Sequence, residues 1–128
     1  MTAMIGLDFI GDDEPGAVFE RSAERQAAAF RGPRARELAV HHPAFDMAGS
    51  QLLDFRVGDM LLHAWDLARA TGADEALDPG LGAFVWASLE PLADPLRASG
   101  AFGSGPCGAV NPQSPRQVRL LDLSGRRP

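Results

Sequence analysis

The stretch DMLLHAWDLARATG, residues 59–72, carries the clearest helical pattern in the chain. Read with the residues before it, it places Leu53, Val57, Met60, Leu61, Ala64, Leu67 and Ala68 on one stripe at helical spacing, which predicts an amphipathic helix facing a core. Ser50 is a suitable N-cap, and Gly72 stands where such a helix stops. The same stretch carries a polar line, Asp59, His63 and Asp66. At about 100° per residue, Asp59 and His63 lie about 40° apart around the helix and about 6 Å apart along it, while Asp66 returns to within about 20° of Asp59. Arg56, about 60° to one side, joins the line.

Working outward, residues 15–31 predict a helix. Pro15 follows Asp12, Asp13 and Glu14, and Phe19, Ala23, Gln26, Ala27 and Phe30 recur at helical spacing before Gly32 and Pro33 end it. The segment 33–49, PRARELAVHHPAFDMAG, contains two prolines and the run ELAVHH, and reads as a long extended crossover with a small hairpin. Asp78 and Pro79 start a further helix with Leu81, Phe84, Val85, Ser88, Leu89 and Leu92 on its inner side, until Pro91 and Pro95 disturb it. Residues 99–114 are rich in Gly, Pro and Ser and predict a loop. Ser114 and Pro115 then introduce a short last helix that Gly125 closes. The expected fold is all-α, with a small β-hairpin around residues 37–48.

A chain of 128 residues suits one domain. Its hydrophobic and charged fractions, 45% and 23%, are those of a soluble globular protein, and no apolar run approaches the roughly 18 residues of a membrane span. The first residues lack the pattern of a secretory signal, and a single cysteine, Cys107, precludes an internal disulfide, so the cytoplasm is the expected compartment. Net charge is −5 and the basic residues, all arginine, are scattered, which argues against nucleic acid as a partner.

A carboxylate four residues before an imidazole is common on solvated helix faces, where it contributes about 0.2–0.5 kcal/mol. The same spacing lets two side chains converge on one cation, and acid with imidazole suits zinc or another first-row divalent ion. Spacing alone favours the solvated face, because about three protein ligands are expected at a catalytic zinc. His41 and His42 are candidates for a third ligand, although adjacent histidines before a proline also mark a turn or strand end. Cys107 reads as an incidental thiol, since no basic residue adjoins it, and Trp65, Trp86 and Phe84 read as core rather than pocket.

Four segments carry a resemblance over nearly the whole chain: FIGDDEPGAVF (9–19), HHPAFDMAGSQLLDF (41–55), RVGDMLLHAWDLARATG (56–72) and RLLDLSGRRP (119–128). They look like an actinobacterial family of DinB-like metalloproteins, relatives of mycothiol-dependent maleylpyruvate isomerase. The resemblance implies a four-helix bundle with a long crossover and a divalent metal, zinc first among the choices, held between helices by three side chains. Two of these belong to an acid-x-x-x-His pair on the third helix, here Asp59 and His63, with Asp standing where the isomerase pattern has Glu. Asp66 and Arg56 are then expected behind the ligands, Asp66 either orienting one by hydrogen bonding or stabilising the helix.

The resemblance also implies an N-terminally truncated form. The family carries an upstream WxxxDLxxH segment whose histidine is the remaining ligand, and the chain is expected to begin near the end of the family's second helix. Met1, Met4, Ile5, Leu7 and Phe9 would cover only part of the apolar surface so exposed, which makes a homodimer a possible outcome. Two functions follow. One is a metal- and thiol-dependent isomerase or transferase acting on a small molecule, with mycothiol as cosubstrate. The alternative is a non-catalytic bundle fragment or oligomerising protein with an incomplete metal site.

Overall fold

In the computed structural model, residues 10–41, 46–100, 102–103 and 105–128 are described. The chain is predominantly helical with one small two-stranded sheet: α1 (Pro15–Arg31), β1 (Ala39–Val40), β2 (Met47–Ala48), α2 (Gly49–Thr71), α3 (Pro79–Leu89), α4 (Ala93–Ser99) and α5 (Arg116–Leu123). It divides into two compact units, Met1–Leu53 and Asp54–Pro128, with the boundary inside α2. Among the described residues no helix is long and apolar enough to cross a membrane.

In the first unit, Glu14 caps α1. Its carboxylate accepts from the N–H groups of Gly16 and Ala17, which lie in the first turn and lack intrahelical partners, and these bonds hold the Glu14 carboxyl below its usual range. Pro15 takes the first helical position, as the sequence predicts. None of the residues of α1 is buried, and Phe19 is exposed. Turns over 33–38 then lead into the hairpin, in which Ala39 pairs with Ala48 and Val40 with Met47, antiparallel, within the expected range 37–48. Gly49 passes so close to Ala35 that a Cβ there would stand 2.0 Å from the Ala35 carbonyl oxygen. The helix expected to start after Ser50 starts at Gly49, and Gln51 rather than Ser50 satisfies a free backbone donor, the Ala48 N–H. His41 bonds Asp46 in this unit. Met1, Met4, Ile5, Leu7, Phe9 and His42 lie outside the described residues.

The second unit is built on one core: Leu61, Leu62 and Trp65 from α2, Val85 and Leu89 from α3, and Leu120 and Leu121 from α5. A Cβ on Gly58 would touch Val85 Cγ1 at 3.6 Å, so the missing side chain marks where α3 lies against α2. The apolar stripe predicted for α2 is only partly inside. Leu61 is buried, as are Leu62 and Trp65 beyond the stripe's edge, whereas Met60 and Leu67 are exposed. On α3, Val85 and Leu89 face the core, while Leu81, Phe84 and the following Leu92 do not.

The ends of these helices follow the sequence closely. Asp78 caps α3 by accepting from the Leu81 N–H, and Gly72 ends α2 at φ 70°. Pro91 falls in a short 3-10 turn, Glu90–Leu92, and Pro95 in the first turn of α4, where its missing N–H costs no helical bond. The residue before α5 is Pro115, with no side-chain cap, so Ser114 is not the cap that the sequence suggests. Two side chains tie loops to α5: Gln117 bridges the Glu75 carbonyl and the Leu77 N–H, and the buried Asp122 accepts from the Cys107 N–H at 2.8 Å. Arg119 lies 4.3 Å from the centroid of the Trp86 ring, a cation–π contact that seals the α3–α5 seam.

Candidate functional site

Leu62 and Trp65 anchor α2 in the core, and that fixes what its neighbouring face presents. Asp59, His63 and Asp66 line one side of a pocket of about 390 Å³, as their shared face predicts. The opposite wall is Phe102 with Gly103 and the turn Ser124–Arg126. That turn is a Schellman motif. The Gly125 N–H donates to the Asp122 carbonyl and the Arg126 N–H to the Leu121 carbonyl, with Gly125 at φ 76°. A Cβ on Gly125 would stand 2.1 Å from the Phe102 carbonyl oxygen, so this wall closes only around a glycine.

The motif aims Arg126 across the pocket at Asp66. Arg126 Nε donates to Asp66 Oδ1 at 2.8 Å and Nη2 to Oδ2 at 2.6 Å, a two-pronged charge-assisted pairing, while Nη1 donates to the Ser124 carbonyl. The Arg126 guanidinium holds the Asp66 carboxyl below its usual range; partial burial opposes this and the neighbouring His63 adds to it. His63 Nδ1 lies 3.1 Å from Asp66 Oδ2, and the imidazole is otherwise open to solvent, its side chain 72% exposed. Asp59 Oδ2 accepts from Arg56 Nη1 at 2.9 Å.

The four polar residues singled out from the sequence are thus brought together and paired along the helix, as the non-catalytic alternative expects of this stripe, rather than Asp59 with His63. Asp59 and His63 share the pocket, yet each is engaged along the helix with another partner: Arg56 for the acid, Asp66 for the imidazole. Asp66 lies beside His63 in the pocket lining, within hydrogen-bond reach of its Nδ1. Arg126 is the residue that sequence reasoning missed. The closing glycine at 125 is the only signal for it, and nothing local says which acid, sixty positions away, it meets.

Those donors test the fit of a divalent ion directly. Among the described residues no group of three or more His, Cys, Asp or Glu side chains is placed to hold a metal. Two donors are fewer than a catalytic ion needs, so the described residues do not make a complete metal site. Cys107 is exposed, and its sulfur accepts only from the Ala109 N–H at 3.4 Å among the described residues.

The chain is similar to the uncharacterized protein Rv0738 of Mycobacterium tuberculosis (strain ATCC 25618 / H37Rv) and to the uncharacterized protein MT0763 of the same species (strain CDC 1551 / Oshkosh). Each is 35% identical over 79 residues, which cover 57% of this chain and 43% of the relative. The matched part is less than half the length of these relatives. No family model matches the chain, and no solved structure does.

Proposed function

We propose that this chain is a non-catalytic helical module carrying part of a divalent-metal site, of the DinB-like type that its sequence resembles. One observation carries the reading: Asp59 and His63 line one pocket from one helix face, while Asp66 beside them is taken up by Arg126 and no group of three donors is placed to hold a metal among the described residues. Carboxylate with imidazole suits zinc or another first-row divalent ion, and the resemblance puts zinc first. Two such ligands, one of them drawn toward Arg56, hold a cation weakly and reversibly. Full occupancy then requires a donor from polypeptide beyond the described residues or from a second copy of the chain.

A second reading is favoured by the pocket itself. Its volume falls within the range of small-molecule sites and it adjoins both donors, which suits a metal- and thiol-dependent isomerase or transferase with mycothiol as cosubstrate, once the site is completed. The residues present do not complete it, and no chemical step is assigned.

Elemental analysis of the purified chain separates the two. After exposure to zinc and desalting, the first reading expects far less than one ion per chain. Stoichiometric zinc that His63→Ala abolishes would favour the second. Stoichiometric zinc retained by both Asp59→Ala and His63→Ala would overturn the placement of the site.

A further inference from the structure

We infer that Arg126 is a positioning residue for His63: acting through Asp66, it fixes the imidazole hydrogen on Nδ1 and leaves Nε2 as the atom offered to a ligand. A guanidinium has donors only, and Arg126 commits two of them to the two oxygens of Asp66, so that carboxylate is ionised and purely an acceptor. Asp66 Oδ2 is also the atom facing His63 Nδ1. The hydrogen in that contact must therefore come from the imidazole. A neutral imidazole with its hydrogen on Nδ1 keeps its lone pair on Nε2, the arrangement in which one ring nitrogen is held so that the other is free to bind.

The contact is built rather than incidental. His63, largely exposed, has little else to fix its ring, and Asp66 by itself is a half-exposed side chain one turn along. Rigidity comes from the other side. Arg126 is only 16% exposed, its backbone N–H is bonded to Leu121, and its remaining Nη1 is bonded to the Ser124 carbonyl. Gly125 before it stands where no side chain fits. The closed end of α5 thus supplies a fixed cation, which fixes a carboxylate, which fixes a ring.

This inference rests on these contacts and not on metal binding; if Asp59 and His63 do hold an ion, it names the nitrogen that does so. The test is nitrogen-15 NMR of the histidine side chains in the full, chelator-treated chain. It is run in alkaline solution, about two pH units above the ordinary imidazole range, with His63→Gln used to assign the signal. An imidazole free in water favours the hydrogen on Nε2. In the wild type the Nδ1–H form of His63 is expected to be the major species, and in Asp66→Ala the minor one. Arg126→Ala is expected to shift His63 in the same direction, and Arg126→Lys, which keeps the charge without the fork, to shift it less. Should Arg126→Ala not fold, the Arg126→Lys shift alone decides. A wild-type His63 with its hydrogen mainly on Nε2 overturns the inference, as does an unchanged tautomer ratio in the folded Arg126 variants. Loss or retention of zinc binding alters none of these outcomes.

Discussion

Removing the Arg126 side chain is the perturbation with the most specific consequence, because its effect depends on Asp66 being present. The pair makes two charge-assisted hydrogen bonds, at 2.8 and 2.6 Å. Hydrogen bonds to charged groups contribute about 1.5–3 kcal/mol each, while freely exposed ion pairs contribute about 0.2–1 kcal/mol. With Asp66 40% exposed and Arg126 16% exposed, water replaces part of what is lost, so the pair lies between these limits. We expect a coupling of about 1–2 kcal/mol.

The assay is a double-mutant cycle by urea unfolding on the wild type, Asp66→Ala, Arg126→Ala and the double variant. It is followed by the fluorescence of Trp65 and Trp86, both of which lie in the second unit. Only the coupling is compared, since Arg126→Ala also removes packing by its aliphatic stem. The sign of the pH dependence follows from Asp66. Its folded-state pKa is depressed, chiefly by Arg126, so the stabilisation is complete above the unfolded-state value of about 3.9. It is lost as pH falls through the lower folded-state value. Coupling should hold between about pH 5 and 7 and fade in stronger acid. A coupling below about 0.3 kcal/mol at neutral pH, within ordinary additivity, would show that Asp66 and Arg126 do not stabilise the fold as a pair, as would one that grows on acidification.

Three further outcomes test the frame around the pocket. Leu120→Ala, at a fully buried core position, should cost about 3–5 kcal/mol by the same unfolding assay. Gly125→Ala should cost more than about 1 kcal/mol, because it combines a positive φ with a Cβ driven into the Phe102 carbonyl, and it should weaken the Asp66–Arg126 coupling in the cycle above. Asp78→Ala should cost about 1 kcal/mol through loss of the α3 cap, and Asp78→Asn should recover most of it.

The elements of this fold are written in local chemistry and are correspondingly legible. Pro15 after Glu14, Asp78 before Pro79, and the glycines at 72 and 125 are start and stop signals whose mechanism needs no tertiary partner, and the helices obey them to within a residue or two. The covered flank of α2 is another matter. Met60 and Leu62 are both apolar, and periodicity identifies a helix with two apolar flanks without saying which is covered. The covered flank is the one that meets Val85, Leu89, Leu120 and Leu121, residues far from it in sequence. The polar face follows the same division. Asp59, His63 and Asp66 share a face because helical geometry requires it, whereas the pocket they line and the pairing of Asp66 with Arg126 depend on how the end of α5 comes back against α2. Ser114 shows a local signal that failed: the backbone begins its helix one residue later, with Pro115 at the cap position.

A calorimetric zinc titration of the metal-free chain bears on the proposal that Asp59 and His63 together form part of a cation site. Weak binding of about one ion per chain is expected, lost in both Asp59→Ala and His63→Ala while each variant keeps its helical content. Zinc binding that neither substitution weakens, or no detectable binding by the wild-type chain at millimolar zinc, would contradict it.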